Sequence, residues 1–167
     1  MTGLMNKVVD KSYLTFPYQY TKAQELTASA IKPLHKRKRD PLVVAVLAAI
    51  AAAAEGSPSV EQWRVLADAS NIAETMLTLG LFDDPDLLFT DAVNAVADLG
   101  RLHGHGLPMR LDAEQQSHLV EFGEAYEQLL AQVSERNYIH AHRATERRLR
   151  ELLMNGPAAG DIEFIVN

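Results

Sequence analysis

Two His-x-His pairs, His103-Gly104-His105 and His140-Ala141-His142, hold four of the six histidines in this chain of 167 residues. Imidazole is the commonest protein ligand for zinc, and on a strand alternate residues share a face and chelate one ion. On a helix the same spacing separates the two rings by about 200 degrees. His140 and His142 fall within a helical pattern, so they are not expected to grip one metal together. His103 and His105, flanked by glycines in an expected loop, are the freer pair and the candidates for a His-based metalloenzyme. Asp83, Asp84 and Asp86 have the look of a cation loop, but Pro85 reads as a helix start and no calcium-loop spacing follows. There is no glycine-rich phosphate loop, nucleophile elbow or His-Glu-x-x-His helix, so no catalytic residue and no cofactor is nominated. Cysteine is absent, which excludes disulfides and thiolate chemistry and is compatible with the cytoplasm.

Charge is the more informative chemistry. The formal net charge of −6 conceals three segments. Residues 1–54 hold eight Lys or Arg against three acids (+5), residues 55–135 fifteen acids against three Arg (−12), and residues 136–167 five Arg against four acids (+1). Helices of the middle segment that commit their apolar positions to a core must turn carboxylates outward. Glu61, Asp68, Glu74, Asp91, Asp98, Glu121, Glu124 and Glu127 are expected there. Such a surface repels phosphate and attracts basic proteins. Asp91, Asp98, Glu121, Glu124 and Glu127 are therefore the candidate partner-binding residues. The basic counterparts are Lys36-Arg37-Lys38-Arg39 and the row Arg143, Arg147, Arg150 at helical spacing, which could track a nucleic-acid backbone. Glu146 and Glu151 lie within reach of the same arginines, and the basic segments could instead neutralise the acidic helices of this chain or a second copy.

The elements that must position these groups are mainly helical. A hydrophobic content of 47% is ordinary for a globular chain with its own core. Tyr13 to Tyr20 places four of the eleven aromatics (five Phe, five Tyr, one Trp) in an extended segment, with Pro17 as an edge signal. Thr21 and Gln24 form a capping-box spacing for a short first helix that Pro33 ends. Asp40-Pro41 has start chemistry for a second, running to Gly56. Its residues Leu42 to Ile50 are apolar on every face, which predicts a central core helix or an oligomer seam. Basic, apolar and small residues from Lys36 to Gly56 also follow the order of a secretion signal, but about thirty residues precede them and a buried helix is the better reading. The apolar run is too short to span a bilayer.

Further helices are expected from Ser57-Pro58-Ser59 to Gly80, from Asp84-Pro85 to Gly100, from Asp112 to about Val133, and from a break near Ser134–Asn137 to about Met154. Ile162 to Val166 reads as a strand, and the aromatic N-terminal segment is its natural partner. The expected architecture is a single bundle of five to six helices (residues 40–167), preceded by an extension (1–39) with a short helix and the basic run. A short two-stranded ribbon would join the termini.

The stretch Trp63-Arg64-Val65-Leu66-Ala67-Asp68-Ala69-Ser70-Asn71-Ile72-Ala73-Glu74-Thr75-Met76-Leu77, with Arg143-Ala144-Thr145-Glu146-Arg147-Arg148-Leu149, resembles small helical accessory proteins of bacterial phages and plasmids. The resemblance covers about half the chain. It implies a part in a mobile element's dealings with its host, including inhibition of a host defence complex, and transfers no active-site residue. The expected function is a non-enzymatic binding or regulatory protein acting through its charged helices on a protein partner, with a homodimer also compatible. A nucleic-acid-binding regulator is the alternative.

Overall fold

The computed structural model describes residues 19–56 and 58–155, and six helices make up most of them. They are α1 (Lys22–Thr27), α2 (Lys36–Ala54), α3 (Val60–Thr78), α4 (Leu88–Gly104), α5 (Ala113–Gln132) and α6 (Glu135–Asn155). No strand occurs among the described residues. Gln19 and Tyr20 are not strand, and the remaining segments expected to form a ribbon, 13–18 and 162–166, lie outside the described residues.

α2, α3, α4 and α5 form a closed ring of neighbours, each packed on the next and α5 back on α2. The short connections at 55–59, 79–87 and 105–112 reverse the chain each time, giving an up-down-up-down bundle. α6 packs on α3 from outside the ring, and α1 packs on α6. The core fills with Leu42 and Val46 of α2, Leu66, Ile72 and Met76 of α3, Val96 and Leu99 of α4, and Leu119, Phe122 and Leu130 of α5. Phe82, Phe89, Phe122 and Tyr126 run through it as a chain of rings, with successive centroids 4.7, 5.5 and 5.5 Å apart. The buried Trp63 indole donates to the Val96 carbonyl at 3.1 Å, so its one polar atom ties α3 to α4. Gly123 lets α5 approach α2, because a Cβ there would stand 2.8 Å from Ile50 Cδ1.

Helix starts follow local chemistry in three cases. Thr21, Ser59 and Asp112 each accept from the third helical amide, and Gln24, Gln62 and Gln115 bond back to complete capping boxes. Two starts differ from expectation. α2 begins at Lys36 instead of Asp40-Pro41, with His35 Nδ1 accepting from Arg37 N–H at 3.2 Å. Pro41 thus sits inside the helix, where it removes one intrahelical bond, on its exposed side. The earlier start follows from burial: Leu34 and Leu42 both enter the core, and the helix between them joins these anchors. α4 begins at Leu88, after Leu87 with φ +56°, yet Asp84 still caps it from a distance. Its carboxylate accepts from Phe89 N–H at 3.1 Å, Thr90 N–H at 3.0 Å and Thr90 Oγ1 at 2.9 Å. α4 also runs through the buried Gly100 to Gly104, so His103 lies in its last turn and not in a loop. α5 and α6 are separated by Val133 and Ser134 alone, so the expected break is two residues long and begins one residue earlier, and Ser134 Oγ accepts from Asn137 N–H at 3.1 Å.

Candidate functional site

α6 carries most of the polar chemistry, on two faces. Toward α1 it grips Glu25, a carboxylate only 5% exposed. Lys22 Nζ donates to Oε2 at 2.7 Å, while His140 Nδ1 and Arg143 lie 3.0 and 3.2 Å from Oε1. Burial raises the carboxyl pKa, but the hydrogen bonds from Lys22, His140 and Arg143 outweigh it and hold the group at about 2. The same junction is stitched a second time. Arg136 donates to the carbonyls of Ala28 and Leu26 at the end of α1, each at 3.2 Å. The amides of Glu135 and Arg136 at the start of α6 donate to Lys32 and Ser29 carbonyls at 2.8 and 3.0 Å. Two of the free amides at the start of α6 thus find acceptors in the connection that follows α1.

Toward α3, α6 presents a polar seam inside the protein. Thr145 donates to its own helix at the Ala141 carbonyl and meets Thr75 Oγ1, both at 2.7 Å, and Arg148 reaches Thr75 Oγ1 at 3.1 Å. Nearby lies His142, 1% exposed, with the Tyr20 ring edge-on at 5.1 Å and Tyr138 tilted at 6.1 Å. Neither imidazole nitrogen has a hydrogen-bond partner among the described residues, nor do Ser70 Oγ, the Asn71 amide or the Tyr126 hydroxyl. Burial, with no compensating acid, depresses the His142 pKa to about 4, so the ring is neutral at pH 7. Burial, aided by the charge of Asp68 and by Tyr20, pushes the Tyr126 hydroxyl above its ordinary range. Tyr138 moves the same way, through burial first and then Tyr126, Tyr20 and Asp68.

The expected site residues divide among these environments. Glu121, Glu124 and Glu127 are exposed on α5 and have no ion-pair partner among the described residues. Asp91 and Asp98 are half-buried and engaged: Asp91 lies 3.9 Å from His118, and Asp98 pairs with Arg101 and accepts from Gln115 at 2.7 Å. Asp68, expected to face outward, is buried on the α3 surface that α6 covers, and Glu74 is half-buried. The arginine row does not act as one face. Arg143 turns to Glu25, Arg150 pairs with Glu146 at 3.3 Å, and Arg147 is exposed. Lys36 and Arg37 are exposed, Lys38 and Arg39 half-buried, and none of the four pairs with a carboxylate among the described residues. His140 and His142 diverge, one to Glu25 and one to the interior, as helical spacing demands. His103 is half-buried and His105 exposed, and no group of three or more His, Asp or Glu able to hold a metal occurs among the described residues.

Where the α1–α2 connection, the α3–α4 connection and the α5–α6 corner meet, an open groove of about 370 Å³ is lined by Ile31, Leu81, Phe82, Leu129, Val133 and Asn137. Among the described residues no helix is long and apolar enough to cross a membrane. Neither the Glu25 clamp nor the His142 seam is evident in the sequence, since the partners of Glu25 lie 115 and 118 positions away. The one local signal for the clamp was Lys22 three residues before Glu25. No family model matches the chain, and no curated protein or solved structure shows significant similarity to it.

Proposed function

We propose that this is a binding or regulatory protein that acts by presenting the carboxylates of α5 to a basic protein partner. The observation that carries this reading is the exposure of Glu121, Glu124 and Glu127 on one helix, with no cation paired to them among the described residues. α5 is anchored on its other side by Leu119, Phe122, Tyr126 and Leu130, so the three charges ride on a rigid element and complementarity costs little ordering. The cations of Lys36–Arg39 leave them uncompensated, since no ion pair joins the two sets among the described residues. The resemblance of 63–77 and 143–149 to phage and plasmid accessory proteins extends the proposal to an inhibitor encoded by a mobile element, acting by occluding a host complex.

Reversal of the three charges (Glu121→Lys, Glu124→Lys, Glu127→Lys) tests the reading. Partner recovered with the parent protein is lost with the triple variant, and affinity falls as salt rises, because these charges are solvent-exposed. Equal recovery by both proteins removes α5 from the proposal. The exposed Lys36 and Arg37 keep a nucleic-acid role open to the same scrutiny: a low-salt mobility shift abolished by Lys36→Ala and Arg37→Ala would favour it over the acidic face.

A further inference from the structure

The sequence of α2, apolar on every face, is compatible with a central core helix or an oligomer seam, and within one chain only one side of it is core. Leu42, Val43, Val46, Ala49, Ile50 and Ala53 are buried, whereas the opposite side is open. Val44 is 64% and Leu47 41% exposed, and Pro41, Ala48, Ala51 and Ala54 are exposed with them. These positions recur every third or fourth residue, so they form one stripe along the helix. Val120 of α5, 49% exposed, borders it, because Gly123 one turn later rests on Leu47 and Ile50. A contiguous apolar face of this kind marks an interaction surface more often than a solvated one.

The ends of the stripe say what covers it. Arg37 lies at its start and Glu55 at its end, both exposed, and neither has an ion-pair partner among the described residues. Lys36 stands beside Arg37, and the one acid near that end, Asp40, does not outweigh the four cations of the first turn. The face is therefore positive, apolar and then negative over about 27 Å, taking 1.5 Å per residue. Such a sequence is complementary to itself reversed. A two-fold axis passing near Val46 sets Arg37 against Glu55 of the second copy, Pro41 against Ala51, and Val44 against Ala48, each contact occurring twice. The cationic first turn, which opposes the dipole of its own helix, then meets the carbonyl end of the other α2. Alanines at 48, 51 and 54 allow the two backbones to approach closely.

We infer that this chain forms an isologous dimer through antiparallel packing of α2 on α2 of a second copy. The inference does not depend on the α5 carboxylates or on their partner. The stripe is one helix wide, narrower than the face of a standard interface of roughly 800 Å² per partner, so the dimer is expected to be a weak one.

Sedimentation velocity from about 1 to about 300 µM is the test. The parent passes from monomer to dimer over this range. Val44→Glu, at an exposed position that leaves the fold intact by circular dichroism, places two unpaired carboxylates in the seam and weakens dimerisation at least about hundredfold. Arg37→Glu and Glu55→Arg each weaken it roughly tenfold by setting like charges together at two places, and the double exchange restores parental affinity. A parent that stays monomeric throughout overturns the inference. So does a dimer indifferent to Val44→Glu, and a dimer that the double exchange fails to restore overturns the antiparallel register.

Discussion

Replacing His142 by Phe should remove most of the acid sensitivity of this fold between pH 6.5 and 4. In the folded protein the imidazole takes a proton only near pH 4, because its surroundings exclude water and supply no carboxylate or acceptor to the cation. In the unfolded chain it takes one near 6.5. Between these values the unfolded state binds more protons, so stability rises with pH. The contribution is fully present above about 6.5, is lost as pH falls toward 4, and then levels off. At about 1.4 kcal/mol for each pH unit between the two values, the loss is about 3 kcal/mol. That is a large share of the 5–15 kcal/mol typical of a domain. Urea unfolding followed by circular dichroism at intervals from pH 7.5 to about 3.5 measures it. Phe conserves the ring that faces Tyr20 and Tyr138 and removes two buried nitrogens without partners. The variant should therefore match or exceed the parent at pH 7.5 and stay nearly flat down to pH 4.5. An acid slope in the variant as steep as the parent's would show that the proton responsible binds elsewhere, and the account of the α3–α6 seam would fail.

Three other perturbations follow from the same contacts. Glu25 has its pKa lowered from 4.5 to about 2, so its contribution is present above about 4.5 and disappears as pH falls toward 2. Discounted for the exposure of Lys22 and His140, Glu25→Gln should cost about 1–2 kcal/mol at pH 7 and flatten only the limb below pH 4.5 in the same titration. Asp84→Ala removes the three bonds that cap α4 and should destabilise the protein by about 1–2 kcal/mol, read as a shift of the urea midpoint at unchanged slope. Arg136→Ala frees the carbonyls of Leu26 and Ala28, so amide hydrogen exchange should quicken across α1 while the four-helix ring keeps its protection. Equal loss of protection in α3 and α5 would mean that α1 is part of the global unfolding unit.

Most of what was legible in the sequence was encoded within a turn or two. The capping residues Thr21 and Asp112 with Gln24 and Gln115, the start after Ser59, and the stop at Gly80 with its φ of +72° each depend on groups three or four positions apart. The exposure of Glu121, Glu124 and Glu127 followed from the apolar rhythm of Leu119, Phe122 and Tyr126, since one helix face can be buried only at the expense of the other. Which faces are covered by distant elements was a tertiary decision. Asp68 stands at a position that periodicity turns outward, and it is buried because α6 lies across that side of α3. Val44 and Leu47 belong to a run whose apolar pattern does not separate core from seam, and they are open because the ring of four helices closes on the opposite side of α2. His140 and His142 are two residues apart with the same chemistry, yet one meets Glu25 and the other is sealed among aromatic rings. The sequence by itself determined the helices, the capping boxes at Thr21, Ser59 and Asp112 and the sorting of charge along the chain, because those rest on neighbours along the chain. The tertiary structure alone decided which polar groups are buried and which apolar ones are exposed, because burial depends on partners that chain separation does not reveal.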